Sequence, residues 1–199
     1  MMPMKPGLIK YYSFCFLFYF VFVMWVPLVH SDWQWHSVYG IKLLRNHFVE
    51  INGRYLSNLL EFYAVRSEII RWLTYSFFSL GIILAIVQFI KVKQKALYFM
   101  LTFGLMLLIP PSLFSHTYGW FEGFYNYVPA TACVIYSLWY VISTFNDVAI
   151  LTTRHHIIYY VVSLCGQLFL EQATLFNVIV ITSAVSYTHL RAHETRGNL

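Results

Sequence analysis

The sequence predicts an all-α fold, a polytopic transmembrane helical bundle with amphipathic helices in its first outer loop. Three observations predict it. Hydrophobic residues make up 59% of the chain and charged residues 11%, with a mean hydropathy of +0.62. A soluble domain needs more charge to cover its surface, so lipid is the expected solvent for much of this chain. Apolar runs long enough to cross a bilayer recur through residues 1–184, at a rise of about 1.5 Å per residue. A long polar and aromatic segment, 31–71, separates the first two runs. Aromatic residues, 20% of the chain, fit interfacial belts of Trp and Tyr. The net charge of +5 comes from scattered basic residues that form no single stripe. It fits topology setting, and no nucleic-acid partner is expected.

The expected spans are 11–29, 72–90, 96–114, 128–144 and 157–175, with a partial span over 176–184. The first follows Lys5 and Lys10 and lacks a small-residue cleavage site, so it reads as a signal anchor. The second closes on Lys91, Lys93 and Lys95. The fourth has Pro129 in its expected first turn, where the missing N–H costs nothing. Lys5, Lys10, Lys91, Lys93, Lys95 and Arg154 fall on one side if spans alternate. The positive-inside rule makes that side, and the N-terminus, cytoplasmic. Residues 31–71, 115–127 and the turn near Glu171 then lie outside.

Within 31–71, Val38, Ile41, Leu44 and Phe48 share one helical face. Tyr55, Leu56, Leu59, Leu60 and Tyr63 repeat the pattern, with Ser57, Asn58 and Glu61 opposite. Both stretches read as amphipathic helices lying in the interface, joined by a turn at Asn52-Gly53. Cys15, Cys133 and Cys165 lie inside apolar runs and read as packing residues.

Residues 185–194, Val-Ser-Tyr-Thr-His-Leu-Arg-Ala-His-Glu, break the apolar pattern. They match the in-frame translation of a transposase-type sequencing adapter. Residues 185–199 are therefore expected to be adapter-derived, and 1–184 the N-terminal part of one multi-pass membrane domain. The alternative is a genuine basic tail.

Several residues carry chemistry in this pattern. Asp32, beside His30, Trp33, Trp35 and His36, is partly shielded from water. It could serve as a general base, bind a metal or orient a hydroxyl, or be an ordinary interfacial acid. Asn52-Gly53-Arg54 offers a turn and a fixed cation that suits phosphate; a snorkelling arginine is the plainer reading. His116, Trp120, Glu122, Tyr125 and Asn126 mix aromatic faces with an acid, an amide and a histidine. That mixture suits carbohydrate, or a simple aromatic belt. Gln167, Glu171 and Thr174 are expected on one face at the outer end of the fifth span. A charge at the bilayer centre costs roughly 2.5–3.5 kcal/mol and less toward the rim. Arg154-His155-His156 reads as a topology anchor.

The order of a basic start, one span, an outer Asp32-Trp33, two amphipathic helices around Asn52-Gly53-Arg54 and then paired spans resembles the front half of GT-C-type membrane glycosyltransferases. It is closest to bacterial multi-pass proteins allied to the Gtr-type glucosyltransferases. The stretches around Trp120 to Pro129 and Gln167 to Glu171 also resemble that group. The resemblance implies a bacterial cell-membrane protein and a polyprenyl-phosphate sugar donor at the extracytoplasmic face. It implies Asp32 as the catalytic acid. Arg54 would then hold the phosphate, and aromatics near Trp120 and Tyr125 would stack on sugar. Gln167 and Glu171 would line the pocket. Such enzymes often pair that acid with a second, sometimes around a divalent metal. No adjacent acidic pair stands here, so the cofactor stays open. The rival expectations are a glycolipid transporter, with Gln167 and Glu171 lining a path, and a non-enzymatic membrane scaffold.

Overall fold

The computed structural model describes residues 6–49, 51–90, 94–145 and 152–197, and they form helices without strands. In chain order these are α1 (Pro6–Val23), α2 (Asp32–His36), α3 (Val38–Arg45), α4 (Tyr55–Ala64), α5 (Glu68–Gln88), α6 (Lys95–Leu107), α7 (Pro111–Thr117), α8 (Phe121–Phe145), α9 (Thr153–Phe169) and α10 (Glu171–Gly197). Two of them, α5 and α8, are long and apolar enough to cross a membrane. A third crossing exists if α6 and α7, bent by 95° at their junction, count as one broken span. Lys5, Lys91, Lys93 and Glu50 lie outside the described residues.

Each expected span is present as helix, yet its limits move for local reasons. The first ends at Val23 rather than residue 29. Pro27 has no N–H to donate and disfavours helical geometry at Val26, and His30 then turns the chain with a φ of 48°. The second begins at Glu68, because Ser67 caps it by accepting from the Ile70 N–H at 3.4 Å. The third breaks at Pro110-Pro111. Pro110 is extended and Pro111 opens α7, where proline is well placed. The fourth begins at Phe121, which puts Pro129 inside the helix and not in its first turn. The fifth stops at Phe169. Leu170 is extended, with φ −153° and ψ 130°, and a new helix starts at Glu171. That helix runs without a break through residues 185–197.

Helix α5 lies at the centre, against α1, α6 and α8, while α8 also packs on α9. Aromatic rings fill the middle. Tyr75 stacks on Phe124 with centroids 4.1 Å apart and donates its hydroxyl to the Tyr118 carbonyl at 2.9 Å. Phe99, Phe121 and Ile83 are fully buried around them. Offset ring pairs of this kind add about 0.5–1.5 kcal/mol beyond their buried area. The outward faces carry Phe14, Leu17, Phe77, Leu105, Val161 and Leu164, all exposed. Such a surface suits hydrocarbon surroundings and not water.

The polar face of α4, expected to turn to water, turns inward instead. On α4, Ser57, Asn58 and Glu61 are buried, whereas Tyr55, Leu59 and Tyr63 are exposed. On α3, Val38 and Ile41 are exposed and Gly40 and Leu43 are buried. The polar side of α4 therefore faces protein. An apolar side turned outward costs little beside lipid, while inside Ser57 and Asn58 find hydrogen-bond partners and Glu61 finds none. A small second core of Trp35, Leu43, Phe48 and Val65 fastens α2 and α3 to the end of α4.

Candidate functional site: a buried acid cluster and an apolar cavity on two sides of α4

Asp32 sits at the first residue of α2 and is fully buried. One carboxylate oxygen accepts from the Val29 N–H at 2.9 Å, and the other from the Glu122 N–H at 3.2 Å. The Phe121 N–H also points to it. The first N–H groups of a helix have no partner within it. Asp32 thus caps α8 from a distant part of the chain, and its charge opposes the positive end of the helix dipole. This contact is why α8 starts at Phe121. Burial pushes the Asp32 carboxyl up from its usual range; the backbone donors work against that, and the neighbouring Glu122 charge adds to it.

Glu122, half-buried, accepts a hydrogen bond from the Ser31 hydroxyl. Glu61 arrives from α4 and is fully buried, with neither carboxylate oxygen hydrogen-bonded. Burial drives it well above the ordinary carboxylate range, and Glu122 and Asp32 push the same way. Three acids from α2, α4 and α8 thus share one region. Beside them Tyr125, buried, shares a hydrogen bond with Thr74 at 2.7 Å. Arg71 lies with its guanidinium 5.4 Å from the Phe121 ring centroid, and its Nε is buried without a partner.

The other polar residues of α4 lock its position. Ser57 donates to the Asn126 side-chain oxygen at 2.7 Å, with both residues buried. Asn52 closes the turn before α4 by accepting from the Arg54 N–H at 3.0 Å and from Asn58 at 2.9 Å. Arg54 then pairs with Glu171 at 2.8 Å, and the same carboxylate accepts from the Gly53 N–H at 3.2 Å. Burial raises the Glu171 carboxyl, but the Arg54 and Gly53 contacts outweigh it and hold Glu171 below its usual value.

On another side, α4 roofs an apolar cavity of about 530 Å³. Leu56 and Leu60 of α4 line it with Phe77 and Leu84 of α5, Pro129, Cys133 and Tyr136 of α8, and Val161, Cys165 and Phe169 of α9. A second cavity of about 370 Å³ lies under the α6–α7 bend, lined by Ile82, Met106, Tyr127 and Val128, with His116 at its edge.

Of the residues expected at a site, Asp32 and Glu122 meet, Asn52, Arg54 and Glu171 meet, and Asn126 touches α4. Gln167 stands apart. The helix break at Leu170 overturns the expected common face of Gln167, Glu171 and Thr174, because Gln167 belongs to α9 and Glu171 opens α10. Tyr125 is enclosed in the core, so its ring offers no open face for stacking. Trp120 is half-buried, its indole N–H enclosed without a partner and its ring edge-on to His30 at 6.2 Å. His36 and His116 are exposed, and the His36 carbonyl accepts from Arg66 at 3.2 Å. Glu61, Ser31, Ser57, Thr74 and Arg71 were not expected at a site. The grouping of Ser57, Asn58 and Glu61 was visible in their helical spacing, but it reads equally as a face turned to water. Among the described residues, no group of three His, Cys, Asp or Glu side chains is placed to hold a metal ion. Compared with protein-family models, curated proteins and solved structures, the chain matches none.

Proposed function

We propose that this chain is a GT-C-like membrane glycosyltransferase of a bacterial cell envelope. It would move a sugar from a polyprenyl-phosphate donor to an acceptor hydroxyl at the extracytoplasmic face, with its N-terminus in the cytoplasm. The observation that carries this reading is the double use of α4. One side closes the acid cluster of Asp32, Glu61 and Glu122, another roofs an apolar cavity of about 530 Å³, and Arg54 stands at its start. A lipid-linked substrate needs an apolar slot for the chain, a cation for the phosphate and a carboxylate for the acceptor.

In this proposal the catalytic role expected of Asp32 passes to Glu122: Asp32 is fully buried and holds the Glu122 backbone as a positioning residue, while Glu122, half-buried, meets the acceptor. The acceptor oxygen bonds to the anomeric carbon as the carbon–oxygen bond to phosphate breaks. The hydroxyl proton passes to Glu122, and polyprenyl phosphate leaves with the bonding pair. Arg54 exchanges Glu171 for the donor phosphate. Asp32→Asn is expected to abolish transfer by the full chain while insertion stays intact. Transfer at the wild-type rate by that variant would overturn the proposal.

The helix breaks at Pro110-Pro111 and Leu170 favour a second reading, a glycolipid transporter, because interrupted spans often surround substrate paths. Flux of lipid-linked sugar in proteoliposomes without covalent transfer would support it.

A further inference from the structure

Glu61 is the one acid in the cluster with nothing to hold its charge. Asp32 has three backbone donors, and Glu122 has the Ser31 hydroxyl. Glu61 has neither a donor on either oxygen nor access to water. A buried carboxylate without a partner is among the least favourable groups a fold can contain, and such groups neutralise themselves by taking a proton.

The groups that face it sharpen the point. From α2 comes Asp32, and from α8 come Glu122 and the neutral phenol of Tyr125. Arg71 of α5 acts on Tyr125, and its charge is also shared with Glu68 at 3.7 Å. Helices α3 and α9 also touch α4, yet the charges acting on Glu61 are those of Glu122 and Asp32. Glu61 therefore feels two negative neighbours.

We propose that Glu61 is a proton-binding site: it holds a proton at neutral pH, which leaves the three-acid cluster with two negative charges. The bound species is a single proton on a carboxylate oxygen, exchanged with water as the pH is raised. Its release adds a third negative charge beside those of Asp32 and Glu122, both of which act on Glu61. Glu61 touches no substrate here and acts through Asp32 and Glu122, so it is a positioning residue of the site. Proton binding stands whether or not the site transfers sugar. Only its consequence for acceptor chemistry rests on the transferase reading.

Infrared spectroscopy of the full chain in lipid membranes, titrated with acid and base, tests this directly. A protonated-carboxyl C=O band is expected at neutral pH, lost in Glu61→Gln. Glutamine has nearly the shape of the protonated acid, so that variant is expected to fold as wild type. In Asp32→Asn or Glu122→Gln the band is expected to remain but to vanish at lower pH than in wild type, since each removes a negative neighbour. If Glu61→Gln does not fold, the shift in these two variants decides the matter. Absence of the band at neutral pH, its survival in Glu61→Gln, or an unmoved midpoint in both neighbour variants would overturn the proposal. Sugar transfer is not read, so failure here is distinct from failure of the transferase reading.

Discussion

At the residue scale, buried polar side chains make this protein sensitive to single substitutions. Ser57 and Asn126 are hydrogen-bonded only 2.7 Å apart in a buried setting. Removing one leaves the other enclosed and unpaired, which costs about 1–3 kcal/mol. Asn126→Ala should lower stability by that amount in detergent unfolding, and Ser57→Ala with Asn126→Ala together should lose less than the sum. The two notable acids respond to pH with opposite signs. Glu61 titrates above its ordinary value of 4.5 in the folded chain. Between that value and its folded value the native state binds more protons than the unfolded one, so stability falls as pH rises through the window. Glu61→Gln should match wild type below about pH 4.5 and exceed it by a growing margin as pH rises from there toward the folded value. Glu171 titrates below 4.5, so its contribution is present above that value and is lost as pH falls through the folded one. That contribution is small. The Arg54–Glu171 pair is 23% and 45% exposed, and such pairs are worth no more than about 1 kcal/mol.

At the element scale, α4 and the start of α8 hold the site. Gly123 is the tight point. A Cβ there would stand 2.1 Å from the His116 carbonyl oxygen, a backbone atom that cannot turn aside. Gly123→Ala should therefore push α7 off α8 and cost about 1–3 kcal/mol or more, visible as a lowered Tm. The sequence made the helical period of α4 plain, with Ser57, Asn58 and Glu61 opposite Tyr55, Leu59 and Tyr63. It did not say which side faces inward, because periodicity fixes a pattern and not the solvent on either side. The bend at Pro110-Pro111 was legible from the prolines themselves. The break at Leu170 was not. No proline or glycine marks it, and Glu171 reaches Arg54 and Gly53 only once the chain is folded.

At the scale of the whole molecule, composition announced an all-helical chain with an apolar exterior, and α5 and α8 are long and apolar enough to span. The site was legible only in part. Asp32 stood out by its place after the first apolar run. Its partners lie about 90 residues away at Glu122, and Glu61 joins them through tertiary packing that no local pattern encodes. On the proposed orientation the acid cluster and Arg54 belong to the extracytoplasmic side. A cysteine placed at exposed Lys42 should then react with a membrane-impermeant maleimide added to intact cells; protection until lysis would reverse the topology. On the proposed function the acid cluster performs covalent transfer. This is tested most directly in proteoliposomes of the full chain, supplied with polyprenyl-phosphate hexoses radiolabelled in the sugar, by following transfer and lipid flux together. Covalent transfer is expected from wild type, with a loss of about 100-fold or more in Glu122→Gln, the range expected for removal of a general base. Undiminished transfer in that variant, or flux of the intact lipid-linked sugar with no transfer, would contradict it.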